Sequence, residues 1–194
     1  MKKRIILASG SPRRKELLSK FNIDFDIVQS DIPELVNDFD EPKQTAMSLA
    51  FQKANDVSQK MANGEIVIAA DTIVVFKDKI LGKPRNENEA FNMLSELSGK
   101  THSVITGFAI IEAGTYNKII DYAETIVKFK DLTSGQIKRY IKTGEYLDKA
   151  GAYAIQGFGS ILVEWIKGSY WNVVGLPISK LDNVLEKYFG VRLL

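Results

Sequence analysis

The sequence reads as an α/β protein of roughly one domain. Three observations lead there. Short apolar runs alternate with segments of helical periodicity. The 194 residues are 45% hydrophobic and 26% charged, an ordinary globular balance with enough apolar mass for a core. The length lies near the ~150 residues per domain that sets the usual count, so one domain is expected over residues 1–194.

The elements follow in order. Arg4 to Ala8 is a short apolar strand pattern. Ser11 then suits a helix N-cap and Pro12 the first helical position, which predicts a helix from Arg13 to Lys20. Phe25 to Gln29 reads as a second strand, and Ser30 to Pro42 as an irregular acidic loop. From Lys43 to about Ala62 the pattern is helical, with Ala46, Leu49, Ala50, Val57 and Met61 on one stripe. Ile66 to Ala70 and Ile73 to Phe76 are apolar strand runs, interrupted by Asp71-Thr72. Lys79 to Lys83 returns as a short strand into the Gly82-Lys83-Pro84 turn. Glu87 to Leu97 is a helix ended by Gly99. Thr101 to Ile111 and Lys118 to Lys130 read as a hairpin of long strands. Ser134, as N-cap, opens a helix that ends at Gly144. Ile161 to Ile166 is a strand. Pro177 opens a last helix with Ile178, Leu181, Val184, Leu185 and Tyr188 on one face.

Composition removes several function classes. There is no cysteine, which excludes a disulfide scaffold, a thiol nucleophile, Cys-ligated zinc and an iron–sulfur cluster. A single histidine, His102, excludes a His-rich metal site and is read as structural or surface. No apolar run approaches the roughly 18 residues a membrane span needs. The signal-peptide pattern is absent too, so a cytoplasmic, membrane-free protein is expected. A net charge of +2 gives no overall reason to expect nucleic-acid binding. The remaining inventory of carboxylates, lysines, arginines and hydroxyls suits phosphate and divalent-cation chemistry.

The charges are unevenly placed. Lys2, Lys3, Arg4, Arg13, Arg14 and Lys15 fall within the first fifteen residues. Asp24, Asp26, Asp31, Glu34, Asp38, Asp40 and Glu41 follow with no Lys or Arg among them. Anion-binding and cation-binding groups are thereby brought near one another in the chain, although two solvated surfaces would read the same way. Ser9, Arg13 and Arg14 sit at a strand–turn–helix junction whose free N–H groups suit an anion. Lys53 lies on the apolar stripe of its helix, either snorkelling outward or pointing into a site. Asp71, flanked by apolar residues, needs a metal, a lysine or backbone donors as partner. Gln156, in the glycine-rich stretch 151–159, offers an amide that both donates and accepts.

These residues occur in ordered blocks: Leu7-Ala-Ser-Gly-Ser-Pro-Arg-Arg14, Leu49-Ala-Phe-Gln-Lys-Ala54, Ala70-Asp-Thr-Ile-Val74, Leu81-Gly-Lys-Pro84, Leu97-Ser-Gly-Lys-Thr-His102, Asp148-Lys-Ala-Gly-Ala-Tyr-Ala-Ile-Gln-Gly157 and Val174-Gly-Leu-Pro177. Together they resemble the Maf family of nucleoside triphosphate pyrophosphatases, in its dTTP/UTP branch. The resemblance implies an elongated, twisted mixed sheet flanked by helices, with two lobes around a cleft, like inosine triphosphate pyrophosphatases. It implies a Mg²⁺ or Mn²⁺ cofactor, a nucleoside triphosphate as the substrate, and often a homodimer. It assigns Asp71, Lys53 and Lys83 to catalysis, Ser9, Arg13, Arg14, Thr72 and Gln156 to substrate binding, and Glu34 and Asp71 to the metal.

The reaction so implied is attack of water on the α-phosphorus with pyrophosphate leaving, Asp71 acting as base directly or through metal-bound water. Thr72 and Gln156 would read the O2, N3–H and O4 pattern that uracil and thymine share. The rival expectations are the same reaction on 7-methyl-GTP or a modified base, a nucleotide-binding regulator of septum formation, and a nucleic-acid binder working through the basic N-terminus.

Overall fold

The computed structural model describes residues 3–37 and 39–194; Met1, Lys2 and Asp38, two of which belong to the charged stretches above, lie outside the described residues. The elements are β1 (Ile5–Leu7), α1 (Pro12–Leu18), β2 (Phe25–Ile27), α2 (Pro42–Ser58), β3 (Ile66–Phe76), β4 (Lys79–Leu81), α3 (Glu87–Leu97), β5 (Thr101–Glu112), β6 (Lys118–Phe129), α4 (Ser134–Ile141), β7 (Val163–Lys167), α5 (Tyr170–Val174) and α6 (Ile178–Val184). The strands form a seven-stranded mixed sheet in the order β2-β1-β3-β5-β6-β7, with β4 paired to β3.

By compactness the chain divides into two units, residues 1–71, 106–123 and 175–194, and residues 72–105 and 124–174. In the first unit β1 pairs in parallel with both β2 and β3. Parallel neighbours require crossovers, and α1 and α2 supply them. Helix α2 can lie close on the sheet because its inner face is small. Ala50, Ala54 and Val57 pack with Ile6, Ala8, Val67, Ala69, Ala109 and Ile111 in one buried cluster. A β-carbon on Gly107 would stand 2.2 Å from the Ala46 carbonyl oxygen, so glycine there is what lets helix and strand touch. Burial of each Val or Ile in this layer contributes ~1.5–3 kcal/mol.

In the second unit β3 and β4 pair antiparallel from Val74↔Leu81 to Phe76↔Lys79. Strands β6 and β7 also pair antiparallel, with a register shift between Lys128 and Phe129. His102, Phe129 and Tyr153 stack edge-on there, with ring centroids 4.7–5.4 Å apart.

Four expectations need correction. Asp71-Thr72 does not interrupt the strand; β3 runs unbroken for 11 residues, because a paired carboxylate leaves the backbone ladder intact. The cap of α4 is Thr133, whose side chain accepts from the Gln136 N–H while Gln136 reaches back, so Ser134 is already helical. The last helix changes to one wide π-type turn at Leu185–Phe189. That shift puts Phe189 in the core at 2% exposure and leaves Tyr188, expected on the inner face, 46% exposed. Finally, α5 lies where no element was predicted.

Candidate active site

Within the first unit, the β1–α1 junction is built around Ser9, which is 8% exposed. Its Oγ accepts from the Ser11 N–H at 3.2 Å and from Arg14 Nη1 at 3.3 Å. Arg14 Nε also donates to the Gly175 carbonyl at 2.8 Å. Burial pulls the Arg14 guanidinium below its ordinary value, Asp71 and Glu34 oppose that, and Arg13 adds to it. Arg14 thus braces the loop and feels both carboxylates. Ser11 occupies the N-cap position as expected, yet its side chain makes no capping bond. Arg13 sits half-buried beside it.

Lys53 does not snorkel outward. From α2 its Nζ reaches Asp71 Oδ1 at 2.5 Å and Glu34 Oε1 at 2.8 Å. The Lys53 and Asp71 side chains are only 19% and 14% exposed, whereas Glu34 is 51% exposed. Asp71 has therefore found the lysine partner that its apolar flanks demanded. Its oxygen and that of Glu34 share one cation, so a single positive charge already draws both toward one point. Two carboxylates so placed, with phosphate oxygens to complete the shell, are the hard oxygen donors that Mg²⁺ or Mn²⁺ takes. Among the described residues, the protein alone assembles no cluster of three or more such ligands.

Lys3 and Arg4 of the basic N-terminus are engaged elsewhere. Lys3 Nζ pairs with Glu112 at 2.7 Å, and Arg4 pairs with Asp26 at 2.6 Å and Glu65 at 2.8 Å. This tells against the nucleic-acid reading of those residues.

The second unit carries Thr72, Lys83 and Gln156. Thr72 is half-buried on β3, Lys83 is exposed before the buried Pro84, and Gln156 is half-buried. The Gly82 carbonyl accepts from the Gly151 N–H at 3.1 Å, which ties the Lys83 turn to the 151–159 stretch. His102 is buried and hydrogen-bonded through Nε2 to the Tyr153 hydroxyl at 2.7 Å, a structural role as expected.

Two residues escaped the sequence reading. Glu145 accepts from the Phe158 N–H at 3.0 Å and the Gly159 N–H at 2.7 Å, holding the turn that follows Gln156. A β-carbon on Gly157, at φ +63°, would stand 2.0 Å from that carboxylate. Gln52 makes both backbone hydrogen bonds of Leu35, next to Glu34. Both partnerships join residues more than a dozen apart, so no local spacing marks them.

The sheet order defines an α/β protein, and its candidate site gathers one lysine between two carboxylates. The fold resembles that of a HAM1 protein from Coxiella burnetii, with a TM-score of 0.50 at 14% identity, over 84% of this chain and 81% of that one. The chain belongs to the Maf-like protein family, whose profile matches residues 4–188. It is 50% identical over 189 residues to the dTTP/UTP pyrophosphatase of Clostridioides difficile strain 630, covering 97% of each protein. It is likewise 50% identical to the dTTP/UTP pyrophosphatase of Thermoanaerobacter sp. strain X514, covering 98% of this chain and all of that one.

Proposed function

We propose that residues 1–194 act as one catalytic domain that hydrolyses dTTP and UTP to the monophosphate and pyrophosphate. The observation that carries the reading is the Lys53 ammonium held between Asp71 and Glu34. The names of the half-identical relatives support the reaction and its substrates.

A Mg²⁺ or Mn²⁺ ion held by Glu34 and Asp71 would supply charge neutralisation and Lewis acidity at the phosphate. The protein's own groups do the rest. Asp71 takes a proton from the attacking water, whose oxygen bonds to the α-phosphorus. The bond from that phosphorus to the bridging oxygen breaks, and pyrophosphate carries away the electron pair. Lys53, Lys83 and Arg13 offset the triphosphate charge, and catalysis is largely positioning and charge stabilisation. Ser9 and Arg14 shape the phosphate loop. Thr72 and Gln156 read the pyrimidine edge.

The test is pyrophosphate release with Mn²⁺ across dTTP, UTP, CTP, GTP, ITP and 7-methyl-GTP, run in ¹⁸O-labelled water. The expected result is preference for dTTP and UTP, loss with chelator, and label in the monophosphate. Label in pyrophosphate would contradict attack at the α-phosphorus. Turnover confined to 7-methyl-GTP would overturn the roles given to Thr72 and Gln156.

A further inference from the structure

Among the described residues, the stretches 30–37 and 39–41 hold no helix or strand and have little apolar anchorage; Leu35 is 73% exposed and Val36 56%. Glu34 therefore cannot be held by burial of its neighbours. What holds this stretch is a side chain acting as a strand would. The Leu35 N–H donates to Gln52 Oε1 at 3.0 Å, and Gln52 Nε2 donates to the Leu35 carbonyl at 2.8 Å. The same Nε2 also donates to Ser48 Oγ at 3.2 Å, one turn back along α2. The amide is thus fixed on its own helix and matches both polar groups of one peptide residue, a pairing that backbone requires of a neighbour.

Its position in the sequence gives the grip a consequence. Gln52 immediately precedes Lys53, and Leu35 immediately follows Glu34. Two adjacent residues of a rigid helix therefore meet two adjacent residues of an irregular loop, one pair by amide hydrogen bonds and the other by the 2.8 Å ion pair. The ion pair alone is a single flexible contact at a half-exposed carboxylate. The amide pair restrains the peptide on which that carboxylate is carried.

We propose that Gln52 is a positioning residue that holds Glu34 in place as a metal ligand. The inference rests on the assignment of Glu34 to the metal. Outer partners of ligating groups commonly govern metal affinity by about 10–100-fold.

The test compares Gln52→Leu, Gln52→Asn and Glu34→Gln with the unmodified chain. Three quantities are read: Leu35 amide exchange, Mn²⁺ binding by electron paramagnetic resonance with a non-hydrolysable α,β-imido dTTP analogue, and the melting temperature. For Gln52→Leu we expect Leu35 exchange and the Mn²⁺ dissociation constant each to rise about tenfold or more, with melting nearly unchanged. Gln52→Asn, one methylene short, should restore neither. If Gln52→Leu binds Mn²⁺ normally while Glu34→Gln does not, the positioning role is overturned and the metal assignment stands. If Glu34→Gln also binds Mn²⁺ normally, the metal assignment itself fails and takes the proposal with it.

Discussion

Lys53 and His102 show how one side chain's surroundings decide its use. Lys53 sits on an apolar stripe, where a lysine most often turns its ammonium to water. Here it turns inward because Asp71 stands within an apolar strand on the facing layer, and each supplies the partner the other lacks. His102 is the opposite case. It is buried beside Tyr153 and Phe129, and burial lowers it from 6.5 to about 4. The unfolded chain binds a proton in that interval and the folded one does not. The associated stability is complete above pH 6.5 and is lost as pH falls toward 4. The loss is at most ~1.4 kcal/mol per pH unit and on the order of 3 kcal/mol in all. His102→Gln removes this term. Urea titrations from pH 8 to pH 5 should show the variant weaker at pH 8, with the gap closing as acid is added. A gap independent of pH would mean that His102 titrates normally in the folded protein.

At the scale of elements, the central relation is α2 against the sheet. Its contact depends on alanines along the helix and on Gly107 opposite Ala46. Gly107→Ala forces a β-carbon toward a backbone carbonyl that cannot rotate away. The expected cost is ~1–3 kcal/mol, or a melting temperature lower by about 2–12 °C. Because α2 carries Lys53, turnover measured well below the melting point should fall as well; full activity in a merely destabilised variant would separate the helix position from the site. The alanine stripe was legible in the sequence because 3.6-residue periodicity survives in one dimension. The identity of the glycine opposite it was not, since that contact joins residues 46 and 107. The same distinction explains the other misses. Thr133 was overlooked because both Thr133 and Ser134 are competent caps, and only the reciprocal bond with Gln136 selects between them. Tyr188 was misplaced because a regular helix was assumed where one wide turn shifts the inner face to Phe189.

At the scale of the molecule, the chain's charge is sorted by function. Lys3 and Arg4, which read in sequence as part of one basic cluster, tie β1 to acidic neighbours on β2, β5 and the β3 approach. Arg13, Arg14, Lys53, Asp71 and Glu34 belong instead to the candidate site, where opposite charges meet beyond the end of β1 and midway along β3. Asp71's need for a partner was visible in the sequence, because an isolated charge in apolar surroundings calls for one. The clamps made by Gln52 and Glu145 were not, because an exposed-looking glutamine or glutamate has no local signature until the backbone it grips is known. The family to which the chain belongs matches it over residues 4–188, so the match takes in both groups of charges apart from Lys3.

The central claim is that Asp71 serves the chemistry and not the fold alone. The most direct measurement is Mn²⁺-dependent pyrophosphate release from dTTP by the unmodified chain and by Asp71→Asn, alongside their melting curves. Asparagine keeps the shape, and Lys53 keeps Glu34 as a partner, so the variant should fold and melt close to the parent. Turnover should fall by ~10²–10⁴-fold or more, the range for losing a general base. A folded Asp71→Asn that releases pyrophosphate within about tenfold of the parent rate would contradict the account.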